Sequence, residues 1–67
     1  MSPEQERWAE AATILRQRGD LAPVWVAERI GALALAGDEA GVERFRQIAR
    51  RMDRLLRPAA TEQEREH

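Results

Sequence analysis

The sequence has no cysteine, lysine, tyrosine or asparagine, and its single histidine is the terminal His67. Without cysteine it forms no disulfide, and one histidine is too few for the usual ligand set of a structural zinc site. Hydroxyl side chains are limited to Ser2, Thr13 and Thr61. Because nucleophiles, general bases and metal ligands are so scarce, the sequence predicts a protein that is not an enzyme and holds no cofactor or metal.

Long apolar runs are also missing. The longest uncharged stretch runs from Ile30 to Gly37, which is far shorter than the ~20 apolar residues of a transmembrane helix. The first residues are polar and do not resemble a signal peptide. We therefore expect a cytoplasmic protein with no membrane association.

The chain of 67 residues has a net charge of −1, so no global field attracts it to nucleic acid or to an anionic surface. A chain this short forms one domain and buries only ~60% of the surface that it exposes when unfolded. Small domains usually add a disulfide, a metal or a partner subunit. Since the first two are not expected here, the sequence favours a homo-oligomer, most simply a dimer.

Capping signals predict the first helix over residues 3–18. Ser2 and Gln5 have the spacing of a capping box around Pro3, whose fixed φ suits the first turn of a helix. Gly19 follows as the C-terminal stop.

The second helix is predicted over residues 23–36, with Pro23 in its first turn. This segment is apolar on nearly every side, and Glu28 and Arg29 are its only charged residues. We therefore expect it to be the central and most buried helix.

The third helix is predicted over residues 38–57, because Asp38 is a favoured N-cap directly after Gly37 and Pro58 ends the pattern. It carries the strongest apolar periodicity in the chain. Its apolar stripe consists of Val42, Phe45, Ile48, Ala49, Met52, Leu55 and Leu56. Residues 58–67 are rich in charge and lack apolar periodicity, which predicts a disordered tail.

These segments predict an all-α fold, a small three-helix domain over residues 1–57. Helices 2 and 3 form an antiparallel hairpin, and helix 1 packs across them.

The corner between helices 2 and 3 does not match a DNA-reading helix-turn-helix. When Gly37 is placed at the turn glycine of that motif, the charged residues Glu43 and Arg46 fall at positions that must be apolar. When Gly41 is placed there instead, Gln47 and Arg50 fall at such positions.

A second apolar face of the middle helix is the candidate protein interface. It contains Val24, Trp25 and Leu35, and three helices of this length cannot cover both sides of a central one. Either the first helix or a second copy of the chain covers this face. Tryptophan is common in interface hot spots, so Trp25 is the predicted anchor, although a place in the core is the competing interpretation.

The third helix also carries a candidate face for an anionic partner. Arg46, Arg50, Arg54 and Arg57 share one polar side at ~100° per residue. Three interpretations stay open: a solvated face that complements the helix dipole, a surface for phosphate groups, and a surface for an acidic protein.

Residues 23–53 resemble short uncharacterised alphaproteobacterial proteins of a domain-of-unknown-function family. The likeness lies in the Trp-Val-Ala-Glu-Arg-Ile-Gly helix, the Ala-Gly-Asp corner and the following helix with arginine, an aromatic residue, isoleucine and alanine. It implies a small all-helical protein and carries no activity, ligand or site residue. From its residues, the chain is predicted to be a non-catalytic protein-interaction or adaptor module that self-associates, with a regulatory role as one option. The alternative is a small nucleic-acid-binding protein that uses the arginines of the third helix.

Overall fold

The computed structural model describes residues 2–57, and within them every regular element is a helix. The three α-helices are α1 (Pro3–Arg18), α2 (Ala22–Leu35) and α3 (Glu39–Leu56). A 3₁₀ turn over Gly19–Leu21 joins α1 to α2. The all-α prediction is confirmed.

The predicted separation between the first two helices is wrong. Helical structure continues without a break from Pro3 to Leu35, so the chain forms two uninterrupted helical stretches instead of three separate helices. Gly19 explains the difference, because its backbone at φ 55° and ψ −130° redirects the chain within one residue. Consequently α2 begins at Ala22, one residue earlier than predicted.

The end of α2 and both ends of α3 differ from the predictions by one residue. The second helix ends at Leu35 instead of residue 36, and Asp38 and Arg57 are the caps of α3, not members of it. The first helix has its predicted bounds. The predicted tail at 58–67 lies outside the described residues.

The N-terminus of α1 has the predicted capping box. The backbone N–H of Gln5 donates to Oγ of Ser2 at 3.2 Å, and the backbone N–H of Ser2 donates to Oε1 of Gln5 at 3.0 Å. Two N–H groups that the helix cannot satisfy internally are thereby paired.

The turn before α3 is built from a glycine and a cap. Gly37 has φ 76°, a conformation that side-chain-bearing residues rarely adopt. Asp38 then accepts a hydrogen bond at its Oδ1 from the backbone N–H of Gly41 at 2.8 Å. A Cβ at Gly41 would lie 2.6 Å from Oδ2 of Asp38, so the missing side chain leaves room for the capping carboxylate.

Replacing Asp38 by alanine is expected to lower the free energy of unfolding by about 1 kcal/mol, because it leaves the Gly41 N–H without its acceptor. Urea denaturation followed by circular dichroism measures the loss. Ser2→Ala is the matched control, since it removes the same kind of bond at a chain end that frays. A larger loss for Ser2→Ala would contradict this account of the turn.

The core lies where α3 packs against both α1 and α2. Its buried side chains are Ala11, Ile14, Ala22, Val26, Ile48 and Met52. The expectation that the middle helix is the most buried is wrong. Each helix has two buried residues, but 9 of the 14 residues of α2 are exposed, compared with 8 of 16 in α1 and 10 of 18 in α3. The amphipathic stripe of α3 serves both neighbours, so α2 keeps one apolar side without a partner within residues 2–57.

Candidate functional site

The side of α2 that faces away from the core is exposed and mainly apolar, with Glu28 as its one charged residue, and we call it the α2 outer face. Its residues are Val24, Ala27, Glu28, Gly31, Ala34 and Leu35. Val24 is 57% exposed and Leu35 is 93% exposed. At ~100° per residue these two side chains point in nearly the same direction, although they are about three turns apart. Two of the three predicted interface residues therefore share one surface.

Trp25, the predicted anchor, lies on the packed side of α2. Its ring meets Phe45 edge to face, with centroids 6.1 Å apart and planes at 62°. The guanidinium of Arg18 lies 4.1 Å from the centre of the same ring, within the range of a cation–π contact. Trp25 thus links α1, α2 and α3, and it is only partly exposed.

A groove between α2 and α3 borders the α2 outer face. It has a volume of about 280 Å³. It is lined by Pro23, Val26, Ala27, Ile30, Ala49, Met52, Asp53 and Leu56. Asp53 is the one charged residue in this lining, and Ala27 belongs to both surfaces. The sequence periodicity identified the separate helix faces but could not show that they leave a groove.

The four predicted anion-facing arginines are all exposed on α3, and we call this surface the α3 arginine face. Arg50 lies 3.4 Å from Glu43, and Arg57 lies 2.9 Å from Asp53. Both pairs are well exposed, so each adds little stability. Arg46 and Arg54 form no ion pair with any residue among 2–57. Asp53 thus pairs with Arg57 one turn away, and Glu43 pairs with Arg50 two turns away.

Other arginines hold the helices together. Glu10 on α1 accepts hydrogen bonds from Arg44 on α3 and, at 2.8 Å, from Arg7 one turn away. Partial burial raises the pKa of Glu10, but the hydrogen bonds and charges of Arg44 and Arg7 outweigh burial and hold that pKa below its usual value. The pKa of Arg44 is raised, chiefly by the hydrogen bond to Glu10. Sequence reasoning missed this link, because its partners are 34 residues apart.

A second group of arginines surrounds Trp8, and we call this surface the Trp8 depression. It is an open hollow of about 250 Å³ between the first turns of α1 and the last turns of α3. Its lining consists of Glu4, Trp8, Arg50, Arg51 and Arg54. Two residues of the predicted anion face, Arg50 and Arg54, therefore meet two residues of α1 that the prediction did not include.

Arg51 is the most buried arginine of this depression, with its side chain 19% exposed. Its Nη1 donates to the backbone oxygen of Gln47 at 3.0 Å, and its guanidinium lies 5.8 Å from the centre of the Trp8 ring. Its Nη2 is 3.7 Å from Oε1 of Glu4, a long ion pair. The buried Nε of Arg51 has no acceptor among the described residues.

Comparison with protein families finds a match over residues 3–60 to DUF6961, a family of unknown function. The chain belongs to DUF6961. The unknown-function family expected from residues 23–53 is thereby confirmed over nearly the whole chain, whereas the alphaproteobacterial attribution stays a prediction. The comparisons with curated proteins and with solved structures return no match.

Residues 2–57 contain no group of three or more histidine, cysteine, aspartate or glutamate side chains placed to hold a metal ion. None of the helices in the same range combines the length and apolar character needed to cross a bilayer.

Proposed function

We propose that this protein is a non-catalytic interaction module in which the α2 outer face joins two copies of the chain. The observation that carries the proposal is the exposure of Val24 and Leu35 on one side of α2. The small residues Ala27 and Gly31 lie between these two side chains together with Glu28, and exposed apolar surface bordered by polar residues is typical of interaction sites.

A second copy is the partner that this face fits best. In a symmetric dimer the same patch lies on both sides of the interface, so the patch must be complementary to itself. When two α2 helices run antiparallel, Val24 of each copy lies opposite Leu35 of the other. Between them, Ala27 and Gly31 are small enough to let the two helix backbones approach closely.

The size of the face sets the expected affinity. A helix of 14 residues is about 21 Å long and about 10 Å wide, so one side of it presents an area of about 200 Å². This area is well below the ~800 Å² that each partner buries in a standard interface. The adjoining groove extends the apolar surface. We therefore expect a dimer with a dissociation constant on the order of micromolar.

Leu35→Gln is expected to weaken dimerisation about tenfold or more, because the symmetry places a polar side chain opposite Val24 at both ends of the antiparallel interface. Sedimentation equilibrium over a concentration series reaching millimolar measures the association constant. Leu55→Gln is the matched control: it is the same change at a leucine that is also exposed, but on α3 and outside the α2 outer face.

Two results would contradict the proposal. One is a wild-type chain that stays monomeric throughout the concentration series. The other is an equal loss of association in Leu35→Gln and Leu55→Gln, because that would assign dimerisation to general hydrophobicity and not to α2. Circular dichroism of both variants checks that the monomer fold is intact.

A further inference from the structure

We propose that the Trp8 depression binds a phosphate group, with Arg50, Arg51 and Arg54 as its donors. These three arginines lie within about one turn of α3 and line the same hollow as Trp8. The site is separate from the α2 outer face and does not depend on dimerisation.

The charges in the depression are unbalanced. Three arginines face one carboxylate, that of Glu4, whose side chain is 71% exposed and 3.7 Å from Arg51. An exposed pair at that distance contributes little. Arg50 has only a 3.4 Å contact with Glu43, and Arg54 has no ion pair within residues 2–57. An added anion would therefore reduce the repulsion among the arginines without displacing a strong internal bond.

The geometry combines one fixed donor with two adaptable ones. Arg51 is held by the backbone oxygen of Gln47 and by the Trp8 ring. Arg50 and Arg54 are exposed and can turn toward a group beside Arg51. Guanidinium groups bind oxyanions through paired N–H donors. A phosphate has enough acceptor oxygens to engage three arginines at once, whereas a single carboxylate has two.

The hollow is open to solvent, so the phosphate can be part of a larger molecule. Two sources share this chemistry: a free phosphate or phosphate ester, and the backbone of a nucleic acid that continues along the α3 arginine face. Arg50 and Arg54 belong to both the depression and that face. A nucleic-acid strand held at Trp8 would therefore also reach Arg46 and Arg57, whereas a free phosphate would not.

Nuclear magnetic resonance of the two indole N–H groups tests the site in the wild-type chain. Inorganic phosphate is titrated against sodium chloride of equal ionic strength. We expect a saturable shift of the Trp8 signal and a nearly constant Trp25 signal, because the ring of Trp25 is packed against Phe45 and Arg18. Trp8→Phe assigns the two signals.

Arg54→Gln is expected to weaken phosphate binding about tenfold, the cost of one charge-assisted contact. Arg46→Gln removes the same charge from the same helix outside the depression, and we expect its affinity to stay within about twofold of the wild type. Equal losses of affinity for inorganic phosphate in the two variants, or no saturable Trp8 shift with either phosphate or an oligonucleotide, would overturn the proposal.

A short single-stranded DNA distinguishes the two sources. If the DNA shifts Trp8 at much lower concentration than phosphate does, and its affinity falls steeply with salt and in Arg46→Gln, the natural ligand is a nucleic-acid backbone. If phosphate binds at least as well and the DNA adds nothing, the ligand is a free phosphate or phosphate ester. Either result supports the site, provided that Arg54→Gln weakens the binding of whichever ligand, phosphate or DNA, binds more tightly to the wild type.

Discussion

An Ile48→Ala variant is expected to lose about 2–4 kcal/mol of unfolding free energy. Ile48 is 1% exposed and belongs to the part of α3 that packs against both other helices. Removing its side-chain methyl and methylene groups leaves a cavity that the neighbouring residues fill only partly. In a domain of this size the loss is a large part of the whole stability, so we expect a substantial unfolded population at room temperature.

Urea denaturation followed by far-ultraviolet circular dichroism measures the change at one fixed protein concentration. Leu55→Ala is the control, because it truncates an aliphatic side chain of equal size on the same helix at a position 47% exposed. We expect a loss below about 1 kcal/mol there. Equal losses would mean that the packing around Ile48 is not the centre of the core.

Gly19→Ala is expected to lower the free energy of unfolding by about 1–3 kcal/mol. At φ 55° and ψ −130° the backbone of Gly19 occupies a region almost confined to glycine. A Cβ there would meet no other atom within 4 Å, so the cost is purely conformational. The variant reports directly on the bend that joins α1 to α2.

Gly31→Ala is the matched control and is expected to have the opposite effect. Gly31 lies inside α2, and a Cβ there also meets nothing within 4 Å. Alanine in a helix interior is favoured over glycine by about 0.5–1 kcal/mol. The comparison is made at a concentration where the wild type is monomeric, because position 31 lies on the α2 outer face. A Gly19→Ala protein as stable as the wild type would mean that the bend relaxes without cost.

Local signals predicted the helix ends well. Ser2 with Gln5 and Asp38 with Gly37 identified the starts of α1 and α3, because these residues bond to backbone groups only a few positions away. Gly19 was identified as the end of α1. The sequence did not show that helical structure continues directly after Gly19, because a glycine at the end of a helix is equally compatible with a loop or with an immediate new helical turn.

The relative burial of the helices was not predictable from apolar content. The middle helix has the most apolar sequence, and yet α3 supplies Ile48 and Met52 to both neighbours. Periodicity shows which side of a helix is apolar, but it does not show which other helix covers that side. For the same reason Trp25 was assigned to the face of Val24 and Leu35, although its ring packs against Phe45.

The candidate sites were predictable only in part. The four arginines of the α3 arginine face share one side of a single helix, so their common exposure followed from ~100° per residue. The Trp8 depression joins α1 to α3 across more than 40 positions of sequence, and no local spacing encodes that proximity. Arg51 gives no signal in the sequence of its contact with Trp8.

The fit between Asp38 and Gly41 also constrains how this family can vary. A side chain at position 41 would contact the far end of the Asp38 side chain, so the carboxylate would have to turn away from its capping position. The two substitutions should therefore be epistatic: once one is present, the other costs little more. Across DUF6961 sequences, the two positions should covary as one unit.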